Sequence, residues 1–231
     1  MKYGILFLIA AGLTAIRAFL SGGWYLILLW PAVSFMTVAL GYLRFGPRVF
    51  GKQSDGTLAV PNVVVLLPYL IYLWSVWYAL RLVKREPAHN ELTDGVIIGR
   101  RLLSSELPDE IATVVDLTCE FSEPRRLRSK SYLLFQVLDG FVPSVEQLLD
   151  WARAINSAPP PVFIHCAEGH GRTGLMAALL LLIRGQAASA AEAVQLVQSK
   201  RPLVRLGKRQ FQLLELAAER IKQTEFEATT A

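Results

Sequence analysis

The sequence predicts an α/β fold, a central and mostly parallel sheet flanked by helices, preceded by transmembrane helices. Three observations predict it. Short apolar runs alternate with amphipathic stretches through the C-terminal two thirds of the chain. One of those runs, Pro161-Val162-Phe163-Ile164, passes through a glycine-rich turn directly into the apolar stretch Leu175 to Ile183. The N-terminal third, by contrast, consists of long stretches almost without charge. At 231 residues the chain has room for one soluble domain of about 140 residues and a second, smaller part.

That smaller part reads as membrane-embedded, over residues 1–86, with two or three transmembrane helices. Tyr3 to Leu20 is apolar apart from Arg17; Trp24 to Leu43 is uncharged and broken only by Pro31; Leu58 to Leu80 is uncharged and contains Pro61 and Pro68. Each approaches the roughly 20 residues a helix needs to cross a bilayer. Tyr69, Tyr72, Trp74, Trp77 and Tyr78 crowd the last stretch, as amphipathic rings do near a membrane interface. Ser21-Gly22-Gly23 reads as a tight turn between the first two helices. A soluble helical core would need polar faces that these stretches lack. A cleaved signal peptide fits poorly, with a weak basic start and Arg17 inside the apolar run. Arg44, Arg48 and Lys52 in one loop balance Arg81, Lys84 and Arg85 in the next, so charge bias does not set the orientation.

Arg85-Glu86-Pro87-Ala88-His89-Asn90 marks the change to mixed composition and reads as a linker into a domain over 87–222. Strands are expected at Gly95 to Gly99, Ile111 to Leu117, Tyr132 to Leu138 and Val162 to Cys166. Ser144-Val145-Glu146-Gln147 and Ser189-Ala190-Ala191-Glu192 have capping-box spacing and open amphipathic helices. A last helix is expected over about Lys208 to Lys222, and residues 223–231 read as a flexible tail.

The chemistry concentrates in His165-Cys166-Ala167-Glu168-Gly169-His170-Gly171-Arg172-Thr173-Gly174. A strand, a glycine-rich turn and a helix N-terminus together make an anion cradle, because free backbone N–H groups converge there and the helix dipole favours negative charge. A cysteine in such a cradle is favoured as the nucleophilic thiolate. A buried core thiol, the fate of most lone cysteines, leaves the glycines and Arg172 unexplained. Arg172 offers a planar, permanently charged fork for two oxygens, and the amides from Ala167 to Arg172 offer further donors.

His-Cys-x5-Arg-Thr resembles the phosphate-binding loop of the protein tyrosine phosphatase superfamily, most closely its small dual-specificity branch. The resemblance covers roughly residues 92–220. It implies a dual-specificity phosphatase-like domain that hydrolyses phosphate monoesters through a phosphocysteine intermediate. By that resemblance Cys166 is the nucleophile, Arg172 and the loop residues Ala167, Glu168, Gly169, His170 and Gly171 bind the phosphoryl group, and Thr173 hydrogen-bonds the sulfur to ease its departure. His165 braces the loop from behind. A general acid belongs on an upstream loop, and Asp139 in Leu138-Asp139-Gly140-Phe141-Val142-Pro143 is the candidate; its rival Asp116 reads as a strand-end cap. Glu168 departs from what a polyanion site needs, and the loop holds no lysine, which disfavours inositol polyphosphates. The phosphotyrosine-clamping motif of large tyrosine phosphatases is absent, which implies a shallow pocket. Phosphotyrosine or phosphoserine/threonine proteins lead as substrates, with a phospholipid head group as the alternative and a non-catalytic phosphate-binding module as a further one.

No cofactor and no metal are implied, since Arg172, the amides and Asp139 cover the charges. His89, His165 and His170 show no metal-ligand spacing. The net charge of +5 peaks at Arg125-Arg126-Leu127-Arg128-Ser129-Lys130, which suits an anionic substrate, lipid headgroups or simple solvation. Basic residues this sparse, without interleaved aromatics, exclude nucleic acid as a partner. Cys119 and Cys166 alone make no disulfide framework, and a thiolate survives best in a reducing compartment, so the expected protein is multi-pass with its catalytic domain in the cytoplasm and the lipid bilayer as a partner.

Overall fold

The computed structural model describes residues 2–230, with side chains through Thr224. It divides into two compact units, Met1–Glu86 with Cys119–Ser122, and Pro87–Thr118 with Glu123–Ala231.

Three helices of the first unit are long and apolar enough to cross a membrane: α1 (Lys2–Ser21), a second stretch Gly23–Phe50 built on α2 (Leu29–Leu40), and α3 (Val60–Val83). Gly22 and Gly23, with φ of 59° and 55°, make the turn after α1 in a region that residues with a Cβ rarely enter. Much of the apolar surface faces outward, with Leu20, Trp24 and Leu82 more than three quarters exposed. Phe7 packs on Phe35 and Tyr69 and holds the three helices together. Pro68, inside α3, cannot donate to Val64 O; the Trp30 indole N–H does so instead at 2.9 Å. Such substitute donors are what a helix break requires where water is absent. Cys119–Ser122 is an addition to this unit that nothing in its composition announces. The Trp74 indole N–H donates to Glu120 O (3.1 Å), and the Leu58 N–H donates to Ser122 Oγ (3.0 Å).

The second unit carries a five-stranded sheet in the order β1-β2-β5-β3-β4: β1 (His89–Thr93), β2 (Val96–Arg100), β3 (Thr113–Asp116), β4 (Ser131–Leu134) and β5 (Val162–Cys166). All neighbours are parallel except β1 with β2. The expected α/β fold is therefore the observed one. β5, central and wholly buried, lies between β2 and β3. Helices α4 (Arg125–Arg128), α5 (Val145–Asn156), α6 (Gly171–Ile183), α7 (Ala190–Lys200) and α8 (Lys208–Thr230) complete the unit. α6 is buried along nearly its whole length, which explains why its sequence lacks a polar face. Ser144 and Ser189 cap α5 and α7 through the N–H groups of Gln147 and Glu192, as expected.

Three expectations need correction. The proposed linker ends early, because His89 and Asn90 already belong to β1, a polar edge strand without apolar alternation. The strands expected over Ile111 to Leu117 and Tyr132 to Leu138 shorten to β3 and β4, since the two pair only from Thr113 with Ser131 to Asp116 with Leu134. The tail expected over 223–231 instead continues α8 to Thr230, in a stretch without glycine or proline; Ala231 lies outside the described residues.

Candidate active site

The cradle forms where β5 ends. Cys166, its last residue, is 3% exposed, and the chain then turns through Ala167–His170 into the first turn of α6. The Gly169 N–H donates to Cys166 Sγ at 3.3 Å, so one amide of the loop already addresses the sulfur. Gly169 has φ 74°, and a Cβ there would stand 2.4 Å from the Gly99 carbonyl and 2.6 Å from Arg100 N. Both the left-handed backbone and the approach to β2 therefore require glycine. Gly169→Ala is expected to lower the melting temperature and to weaken the binding of an oxyanion such as tungstate by about 10²-fold, because the loop must shift and amide placement within an ångström matters. Melting and tungstate titration of one preparation check this; unchanged affinity would contradict it.

Arg172, in the first turn of α6, is 4% exposed. Its Nη1 donates to Val137 O (2.8 Å) and Leu117 O (3.3 Å), which fixes the guanidinium between the end of β3 and the loop after β4. Asp139, in that second loop, brings Oδ1 to 3.7 Å from Arg172 Nε, with its side chain 75% exposed. The sequence candidates Cys166, Arg172 and Asp139 thus come together in one place. Val137, Phe141, Pro143, Trp151 and Met176 wall an apolar cleft beside Arg172. Thr173 is fully buried and its Oγ1 has no hydrogen-bond partner among the described residues, so the expected bond to the sulfur is not formed in this state.

Asp116 occupies the role of cap. The Thr118 N–H and hydroxyl both donate to Oδ1 (2.7 Å each), and the Tyr132 hydroxyl donates to Oδ2 at 2.6 Å. Burial, and then the charge of Asp116, push the Tyr132 phenol well above its usual range. His165 is fully buried behind the loop, stacked on Phe163, with Nε2 3.8 Å from Glu123 Oε1. Glu123 in turn accepts from Arg101 Nε at 3.1 Å. Asp116, Glu123 and His165 bring potential metal-ligand atoms within 4.8 Å of one another; they lie beneath the cradle, and Tyr132, Thr118 and Arg101 bind the two carboxylates. The basic stretch is largely absorbed locally: Arg126 binds Ser104 O and Asp109, Arg128 binds Glu123 O, and Lys130 binds Asp109 O.

Sequence reasoning missed Arg201 and Gln210. Arg201 is fully buried and donates from Nε to Gly169 O (2.9 Å) and from Nη2 to Glu168 O (3.2 Å). Gln210, at the start of α8, accepts from the Gly207 N–H and lies close to Gly171. Neither has a local signature, because each reaches the loop only through the tertiary fold.

The family model for the Swiss Army Knife protein DSP-PTPase phosphatase domain matches residues 109–229, more than half of the chain. The chain belongs to this family. The match spans the Cys166 loop, Asp139 and Arg172, so the cradle is that of a cysteine-dependent, dual-specificity-type phosphatase domain. Among solved structures, Tk-PTP in its active form aligns with a TM-score of 0.53 at 28% identity, over 58% of this chain and 98% of that one. PTPMT1 in complex with PI(5)P aligns with a TM-score of 0.54 at 16% identity, over 60% of this chain and 99% of that one. Human DUSP28 aligns with a TM-score of 0.51 at 15% identity, over 59% and 96%. The last two likenesses show the fold alone. No curated protein matches the chain.

Proposed function

We propose that this protein is a membrane-anchored phosphatase that hydrolyses phosphate monoesters through a phosphocysteine at Cys166, with phosphotyrosine and phosphoserine/threonine proteins as its substrates. The observation that carries the reading is the convergence of Cys166, the Gly169 amide, Arg172 and Asp139 on one cradle. The Cys166 sulfur attacks phosphorus while the bond to the leaving oxygen breaks. Asp139 supplies the proton that oxygen needs. Arg172 and the amides of residues 167–172 hold the three equatorial oxygens, whose charge grows in transfer. Asp139 then takes a proton from water as the water attacks phosphorus, the S–P bond breaks, and the sulfur leaves as thiolate. Turning the unpaired Thr173 hydroxyl toward that sulfur satisfies a buried group whose isolation costs about 1–3 kcal/mol.

Three long apolar helices with outward-facing apolar side chains support the anchor, a multi-pass arrangement over residues 1–86. The thiol chemistry supports a cytoplasmic catalytic domain over 87–222. The same anchor favours a second reading, a phospholipid head-group monoester, because it raises the effective concentration of the active site at the bilayer. The local pairing of Arg126, Arg128 and Lys130 speaks against recruitment of highly charged headgroups by that stretch. Phosphopeptides and anionic phospholipid monoesters, offered side by side to the detergent-solubilised full chain, test the choice. Faster release from phosphopeptides is expected, and preference for the lipid would replace it with the second reading.

Asp139→Asn is expected to slow substrates with poor leaving groups by about 10²–10⁴-fold and an activated aryl phosphate far less. Steady-state kinetics on the two substrate types checks this. Equal losses on both would assign the proton to another residue.

A further inference from the structure

Arg201 is the largest fully buried side chain among the described residues, and its place follows from its neighbours in sequence. It caps the C-terminus of α7, and Pro202 after it holds it out of the helix, with φ −136° and ψ 86°. From there its guanidinium enters the interior. Burying a charge is costly unless hydrogen bonds compensate it, and Arg201 meets four acceptors. Two are the loop carbonyls of Glu168 and Gly169. The other two are Pro87 O at 3.0 Å and Asn90 Oδ1 at 2.8 Å, both reached from Nη1. Pro87 is where the second unit begins, directly after the apolar one, and Asn90 belongs to β1.

In a trans peptide the C=O and N–H point in opposite directions. The Glu168 carbonyl faces Arg201, and the N–H of the same peptide, that of Gly169, donates to Cys166 Sγ. The Gly169 carbonyl also faces Arg201, which turns the His170 N–H the other way, into the loop. One guanidinium therefore orients two successive peptides of the cradle. We propose that Arg201 is a positioning residue that holds these amides toward the bound phosphoryl group, and that Pro87 and Asn90 tie this grip to the segment where the catalytic unit begins. The proposal rests on the phosphatase reading of the loop.

Tungstate, an oxyanion that occupies such a cradle without turnover, separates the two claims when titrated calorimetrically into the full chain in detergent. Arg201→Ala is expected to weaken tungstate binding and to lower kcat/KM on an aryl phosphate, each by about 10²-fold, with part of both restored by millimolar guanidinium. Asn90→Ala leaves the loop contacts chemically intact and is expected to weaken tungstate binding in the same direction by a smaller factor. If Arg201→Ala does not fold, Arg201→Lys takes its place, since an ammonium cannot meet four acceptors set in this geometry. Folded Arg201 variants that bind tungstate as the wild type does, at a lowered melting temperature only, would overturn the positioning role. Wild-type affinity in Asn90→Ala would overturn the link to the chain entry. A folded wild type that binds no tungstate would overturn the phosphatase reading itself.

Discussion

Replacing Cys166 by serine is expected to reduce turnover by about 10⁴–10⁶-fold while leaving anion binding within a few-fold of wild type. The two effects separate because they rest on different atoms. Attack on phosphorus needs the thiolate, and a serine hydroxyl in the same place remains protonated and weakly nucleophilic near neutral pH. Binding needs the amides of the loop and Arg172, which the substitution leaves in position. The Gly169 N–H that now donates to Sγ finds an oxygen instead. Tungstate titration and phosphate release from one preparation check both halves. Turnover comparable to wild type would refute the phosphocysteine, and loss of binding together with turnover would mean that the sulfur also maintains the loop.

Arg172→Lys is expected to cost about 10³-fold in kcat/KM. Arg172 holds Val137 O and Leu117 O with Nη1, which fixes the plane of the guanidinium and so the direction of its fork. A lysine ammonium offers its donors from one point, so it can keep the carbonyls or grip two oxygens but not do both. The charge is conserved, so the loss measures geometry. Tungstate affinity is expected to fall along with kcat/KM. Kinetics equal to wild type would show that only a positive charge is required.

The parts of this molecule legible in its sequence are those whose physics is local. The phosphate loop is contiguous from Cys166 to Arg172, so residue types and spacing alone carry its chemistry. The helix caps at Ser144 and Ser189 lie within three residues of their partners. The apolar stretches of α1 to α3 announce themselves by length and absence of charge. β1 escaped because an edge strand such as His89–Thr93 has no need of apolar alternation. The shortening of β3 and β4 depends on where the partner strand stops, which neither segment encodes alone. Arg201 has no local signature; its value lies in acceptors 32 to 114 positions away along the chain. Cys119–Ser122 belongs with the first unit through Trp74 and Leu58, partners that no pattern in its own sequence suggests. Asp139 was found by its loop, but its approach to Arg172 is a property of the fold.

The most direct test of the central claim is phosphate release from an aryl phosphate by the detergent-solubilised full chain, without added metal, with Cys166→Ser alongside. Release by the wild type and none by the variant is the predicted result. Release that persists in the variant, or none from a folded wild type that binds tungstate, would contradict hydrolysis through Cys166.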